Sequence, residues 1–362
     1  MSREIEYRPR IVSPPGETLQ ELLDEINLSQ AEFAERTGHS QKTINEIIKG
    51  KAPISQETSL NFEKVLGTSA TFWNTREQHY REYLTSLNEK ERLEKSVGWL
   101  KEIPYRELQE RGYVTSTEDK VILMNSLLTF FAIASVSQWH TYWRNAKANF
   151  RAANFDKNKI GAIAAWLRIG EIQATKIATE SYNQDLFEAT LKKIRDSIVR
   201  NFDWQNLVQE LCAQAGVAVV FTPHVKGIGI YGCARWLSPT KALIQLSMRG
   251  KRDDQFWFTF FHEAIHVLKH KKKAVYLDDS DTQQDHGTEE ENEANENARN
   301  ILIPLPEWRK FVEDGKFDAS SIMQFSERLG LTDGIVVGRM QREKLLAHNR
   351  FQNMKIEVFF NE

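Results

Sequence analysis

Cysteine is almost missing from this chain of 362 residues: it has two, Cys212 and Cys233. They form no metal-ligand spacing and no disulfide framework. A stapled secreted scaffold is therefore excluded, and a reducing cytoplasm is the expected setting. An excess of one charge sign is also lacking. The net charge of −2 fits neither a nucleic-acid sponge nor a membrane-surface protein. No run of about 18 apolar residues is evident, so no membrane span is expected. The most apolar long segment, residues 121–136, contains Asn125 and Ser126 and reads as a buried helix. The opening MSREIEYRPR is charged and has no apolar core, so it does not read as a signal peptide.

What is present is an ordinary folded composition, 41% apolar and 27% charged, at a length that suits two or three domains. The chain reads as a multidomain protein, mainly α with an α+β C-terminal part. Three regions are expected. Residues 1–84 carry five helices with clear stop signals. Residues 85–200 form a helical linker or sensor region, in which Trp139, Trp143 and Trp166 are core or interface anchors. Residues 201–362 add strands, with β-like segments at 216–221 and 242–247, a glycine-rich strand or hairpin from 227, and a hydrophilic loop over 271–292.

One segment carries chemistry. FTFFHEAIHVL places His262 and His266 four apart, with Glu263 after the first. On a helix, residues i and i+4 share a face, so both imidazoles can meet one metal ion while Glu263 reaches a metal-bound water. This is the zinc-metallopeptidase pattern. A catalytic zinc takes three protein ligands, and the next helix is rich in acids: Glu289, Glu290, Glu291, Glu293 and Glu296. Ala294, Ala298, Ile301 and Leu302 form its buried stripe. Glu293 borders that stripe and is expected as the third ligand, with Glu289, Glu291 and Glu296 facing water. Asn297, one turn on, is expected to hydrogen-bond a ligand histidine. Glu263 would act as general base, passing its proton to the leaving amine.

The second and third helices form a helix-turn-helix. Ser29 and Glu32 make a capping box, Gly38 supplies the turn, and Ile44 and Ile47 face the core. Ser40, Gln41, Lys42, Thr43, Asn45 and Lys49 remain outside, and those types suit a DNA major groove. Residues 1–84 nevertheless hold ten Lys and Arg against thirteen Asp and Glu, so the basic footprint of a DNA-binding domain is absent.

The segment GETLQELLDEINLSQAEFAERTGHSQKTINEIIKGKAPIS resembles the XRE-type helix-turn-helix, especially the HigA-like antitoxin branch. From about 203 to 346 the chain is similar to the ImmA/IrrE metallopeptidase family, through DDQFWFTFFHEAIH, NEANENARNILIP and DGIVVGRMQ. Ala264-Ile265 stands where the family pattern has Leu-Gly, and Asn297 where it has Phe; neither position is a ligand. The resemblance implies zinc (manganese in some members), a minimal gluzincin-like fold with a small sheet, and a narrow protein substrate. It implies a transcriptional regulator that binds a double-stranded operator as a homodimer, away from any membrane. Its fused endopeptidase would cleave a repressor-type protein, or itself, to relieve repression under stress. The alternative is a non-proteolytic HigA-like antitoxin or repressor whose C-terminal domain senses a metal, ligand or partner.

Overall fold

The structure is a computed structural model that describes residues 12–151, 159–199, 203–247, 249, 251–270, 275–278 and 289–359. It divides into two compact units, Met1–Val97 and Gly98–Glu362.

The first unit holds α1 (Pro15–Glu25), α2 (Gln30–Thr37), α3 (Gln41–Ile48), α4 (Gln56–Leu66) and α5 (Ala70–Lys95). Their starts follow capping chemistry: the hydroxyls of Ser29, Ser40, Ser55 and Ser69 accept from the backbone N–H of Glu32, Thr43, Thr58 and Phe72. Between α2 and α3 the chain reverses at Gly38, whose φ of 73° is the left-handed conformation that favours glycine. Leu19, Leu23, Phe33, Ile44, Phe62 and Trp73 form the core. Phe62 meets Trp73 edge-to-face with centroids 5.6 Å apart. The fifth helix runs on past residue 84, where the first region was expected to end, to Lys95, because no Gly or Pro interrupts 84–95.

The second unit is a mixed sheet covered by helices on both faces. Before the sheet's main strands come α6 (Tyr105–Glu110), α7 (Lys120–Phe131), α8 (Val136–Asn149), β1 (Phe150–Arg151), α9 (Ile160–Thr175), α10 (Gln184–Ser197) and α11 (Trp204–Gln214). Then follow β2 (Val217–Phe221), β3 (Gly232–Ser238), β4 (Lys241–Leu246), α12 (Asp253–Lys269), β5 (Val275–Asp278) and α13 (Glu289–Leu302). The chain closes with α14 (Leu305–Asp314), α15 (Ala319–Leu329) and α16 (Asp333–Arg342).

The strand order is β1-β5-β3-β4-β2. β2 runs parallel to β4, with Val217 opposite Ala242, and β3 runs antiparallel to both β4 and β5. Alternation along β2 explains the two-sided cover. Val217 and Val219 point into the main core with Phe260, Phe261 and Val336, while Ala218 and Val220 meet Ala174 on the other face. Fully burying Phe260 and Phe261 contributes roughly 1.5–3 kcal/mol each, which anchors α12 rigidly on the sheet.

Three expectations change here. Residues 98–199 are not a separate region. Trp166 Nε1 donates to Thr222 O at 3.1 Å, Gln245 Nε2 to Trp166 O at 2.7 Å and Arg235 Nη2 to Leu167 O at 2.6 Å, so α9 covers the sheet. The compact units accordingly part at 97/98, and neither 84/85 nor 200/201 separates them. The glycine-rich segment does not form a hairpin of its own: 227–231 lies outside any strand, and β3 begins at Gly232, inside the sheet. Within the expected hydrophilic loop, residues 275–278 form β5, paired to β3. Lys120–Trp143 does reach the length and apolarity of a membrane span, with mean hydropathy 1.7 in its best window. In the structure Ala132, at φ 53°, divides it into α7 and α8. Trp139, Trp143 and Trp166 are buried, as the reading of core anchors requires.

Candidate metal centre

The site is built on two antiparallel helices. On α12, Phe258, His262 and His266 recur every four residues and share one face, and His270, the residue that ends the helix, follows at the same spacing. On α13, Glu291, Ala294, Asn295 and Ala298 recur at three and four, and Ala294 and Ala298 are fully buried. The two faces meet. His262 Nε2 lies 2.9 Å from His266 Nε2, Glu291 Oε2 lies 3.2 Å from His262 Nε2, and Glu291 Oε1 lies 3.4 Å from His266 Nε2. His262 and His266 are 3% and 1% exposed, so the donors converge in a dry pocket.

Glu291, not Glu293, completes this triad; the three ligand atoms lie within 4.8 Å of one another. The reason is helical phase. Glu291 precedes Ala298 by seven residues, two full turns, and so sits on the buried stripe itself, whereas Glu293 sits about 100° away from Ala294. Glu293 is exposed and accepts from Lys269 Nζ at 2.9 Å. Its other oxygen lies 3.3 Å from His270 Nε2. Asn297 likewise does not reach a triad histidine: its side chain accepts from Lys269 Nζ at 3.2 Å and donates to Glu293 O at 2.7 Å.

The outer positions are filled by other groups. His262 Nδ1 is 3.1 Å from Asn295 Oδ1, and His266 Nδ1 is 2.8 Å from His270 Nδ1. When a cation takes both Nε2 lone pairs, each Nδ1 would carry the proton and donate outward, to Asn295 and to His270. His270 then donates from Nε2 to Glu293. Neither His270 nor Asn295 is among the residues expected from the sequence; the i+4 continuation from His266 is the signal for the first, and the spacing from Glu291 for the second. His286 lies outside the described residues.

Electrostatics favour cation binding. Burial lowers the His266 pKa from 6.5 to about 4, against the pull of Glu291, so the ring is a neutral donor. Burial would raise the Glu291 carboxyl, but the His262 and His266 rings outweigh it and hold it at about 2. Two imidazoles and one carboxylate are the donor set of a catalytic zinc site. Tetrahedral zinc with bonds of about 2.0–2.1 Å puts its donors about 3.3 Å apart, which the 2.9–3.4 Å separations here approach. The residues therefore fit a zinc-like cation. Such an ion, when bound, supplies Lewis acidity and makes water acidic near neutrality.

Glu263 is fully buried beside His262, facing β3. A Cβ added at Gly232 would stand 2.7 Å from its Oε1 and 2.8 Å from its Cγ. Glycine at the start of β3 is what admits this carboxylate to the space between helix and strand. No motif flagged Gly232 in the sequence.

In the first unit, α3 presents the six residues singled out for a groove. Gln41, Lys42 and Lys49 are exposed, and Thr43 and Asn45 are half-buried. Ser40 is committed to capping, accepting from Thr43 N at 3.0 Å. Asn45 Nδ2 points back to Gln30 Oε1 at 3.5 Å, and Lys42 lies 3.9 Å from Glu46.

Comparison with known proteins matches a part of each unit. A helix-turn-helix family model matches residues 19–73, and the Peptidase M78 model, described as an IrrE N-terminal-like domain, matches residues 212–340. A curated relative, the uncharacterized HTH-type transcriptional regulator YddM of Escherichia coli (strain K12), is 36% identical over 59 residues. That match spans 16% of this chain and 63% of the relative's length. Among solved structures, the Pseudomonas aeruginosa antitoxin HigA with the higBA promoter is 27% identical, with a TM-score of 0.22. The match covers 24% of this chain and 94% of that one. An addiction module antidote protein of a HigA family from Coxiella burnetii is 25% identical, with a TM-score of 0.21, over 23% of this chain and 92% of that one. The chain joins a helix-turn-helix domain of the XRE type to an IrrE N-terminal-like domain of the Peptidase M78 family.

Proposed function

We propose that this protein is a DNA-binding regulator carrying a zinc-dependent endopeptidase, and that the peptidase cleaves a repressor-type protein, a copy of this chain included. One observation carries the reading: His262, His266 and Glu291 converge within hydrogen-bond distances while Glu263 lies buried beside them. The zinc ligands in this reading are His262, His266 and Glu291. Asn295 and His270 fix the two rings, and Glu293 and Asn297 act one layer further out. Manganese fits the same donors less well, because imidazole and a tight tetrahedral spacing favour zinc.

The division of labour follows. Glu263 takes a proton from the attacking water and hands it to the leaving amine, a task suited to a carboxylate in a water-poor site. The buried rings and Glu291 hold the electrophilic centre in place. Gln41, Lys42, Asn45 and Lys49 on α3 contact operator DNA as a homodimer, Gln and Asn reading base edges and Lys meeting phosphates. A DNA partner sets the protein in the cytoplasm.

The test joins metal analysis to a substrate assay. Purified full-length protein should carry about one zinc per chain and cut the helix-turn-helix substrate. Glu263→Gln should keep the zinc and lose at least about a hundredfold in rate, the scale of general-base catalysis. A protein that binds no transition metal, or a variant that cuts as fast as wild type, overturns the peptidase reading and leaves the sensing one.

A further inference from the structure

The faces that build the metal centre do not end there. On α12 the series His266, His262 continues through Phe258 and Asp254, each four residues apart. On α13 the series Glu291, Asn295 continues through Arg299 and Leu302. The helices run antiparallel, with Lys269 meeting Glu293 and His262 meeting Asn295. Both faces therefore lead from the donors into one cavity of about 370 Å³, floored by Phe258, Leu302 and Ile335. The Phe258 ring is 6.0 Å from that of His262, so cavity and metal centre are neighbours on one groove.

The cavity wall is cationic. Asp254 is spoken for by Lys355 at 2.7 Å, and Arg339 by Glu343 at 3.0 Å. Arg299 and Arg342 also line the cavity, and neither has a carboxylate partner among the described residues. Arg339 is pinned by the carbonyls of Arg299 and Ile303 and stacked over Trp308, which makes it structural. Burial lowers its pKa, and the nearby Arg299 charge lowers it further. Arg299, half-buried, and Arg342, exposed, thus line one cavity together with apolar side chains. An anion entering the cavity meets these two guanidiniums, and planar guanidinium is the matched donor for a carboxylate.

We propose that this cavity is the specificity pocket for an acidic side chain, Asp or Glu, of the peptide substrate, with Arg299 and Arg342 as its binding groups. The proposal rests on the peptidase reading above. Phe258 lies four residues from His262, about 6 Å along the helix. An extended peptide advances about 3.3 Å per residue, so the acidic residue falls about two to three positions from the scissile bond. The floor accepts the side chain's methylenes while the arginines take its carboxylate.

A random mixture of end-capped decapeptides tests this in two arms on the full chain. In the first, zinc-loaded wild type digests the mixture and the new termini are sequenced. Asp and Glu should be enriched about fivefold or more at one position two or three residues from the cut. Arg299→Gln with Arg342→Gln should abolish that enrichment, whereas Arg309→Gln with Lys310→Gln, exposed cations outside the cavity, should preserve it. In the second, immobilised zinc-loaded Glu263→Gln retains peptides without cutting them. The retained pool should be rich in Asp and Glu, and adding the two cavity substitutions should remove the bias. No acidic bias in the cut sites, or a bias that survives the cavity substitutions, overturns the pocket. A wild type that cuts nothing refutes the peptidase reading, and the retention arm then decides the pocket by itself.

Discussion

Gly232, the first residue of β3, lies against the buried carboxylate of Glu263 so closely that a Cβ there would stand 2.7 Å from Oε1. Strand and helix thereby confine the carboxylate proposed as general base. Gly232→Ala should displace that carboxylate without touching a metal donor. We expect zinc content and circular dichroism close to wild type and a cleavage rate lower by about tenfold to a hundredfold, the range for a displacement of about 1 Å. Rates of Gly232→Ala measured beside its zinc stoichiometry check this.

Glu291 and Glu293 should separate cleanly. Glu291→Gln removes one of three donors, and dialysed protein should retain little zinc by elemental analysis. Glu293→Gln removes no donor and weakens its ion pair with Lys269 and the chain from His270 to His266. It should keep a full zinc complement at saturating metal while weakening zinc affinity by about tenfold to a hundredfold. Competition with a chromophoric chelator measures both.

Acid should destabilise the metal-free fold through the same groups. The folded-state pKa of His266, about 4, lies below its ordinary 6.5. The folded protein therefore resists protonation there, and its stability is whole above about pH 6.5 and lost as pH falls toward 4. Glu291, held at about 2 against an ordinary 4.5, adds a loss from 4.5 downward. The expected loss across the first window is on the order of 1–3 kcal/mol. Urea titrations of the metal-free protein between pH 7 and 4 check it, and His266→Gln should flatten that limb.

On the proposed DNA-binding face, the exposed Gln41 and Lys49 should divide readout from affinity. Against an operator selected from random duplexes, Gln41→Ala should cost about 1–3 kcal/mol and relax preference at one base pair. Lys49→Ala should weaken all sequences alike and reduce the salt slope by about one. Fluorescence anisotropy at several salt concentrations distinguishes the two.

The first unit was largely legible because local chemistry determines it: four serine caps and the left-handed Gly38 mark its helix boundaries. His262, Glu263 and His266 were legible for the same reason, being neighbours on one helix. The third donor demanded the phase of a second helix: the expected stripe of Ala294, Ala298, Ile301 and Leu302 runs through Glu291, whereas Glu293 only borders it. Ile301 packs only partly against the core, while Ala294 and Ala298 are fully buried. Gly232, β5 and the cover of the sheet by α9 depend on contacts between residues tens of positions apart, for which no periodicity in one strand or helix gives a signal. The cavity cations sit on α13 and α16, and only folding brings Arg299 and Arg342 together.

Intact mass spectrometry of the zinc-loaded full chain beside Glu263→Gln, each incubated with and without single-stranded DNA as trigger, tests the central claim most directly. The account predicts discrete fragments from the wild type alone, with equal zinc in both proteins. Equal fragmentation of the two, or a zinc-loaded wild type that stays intact under both conditions, would contradict it.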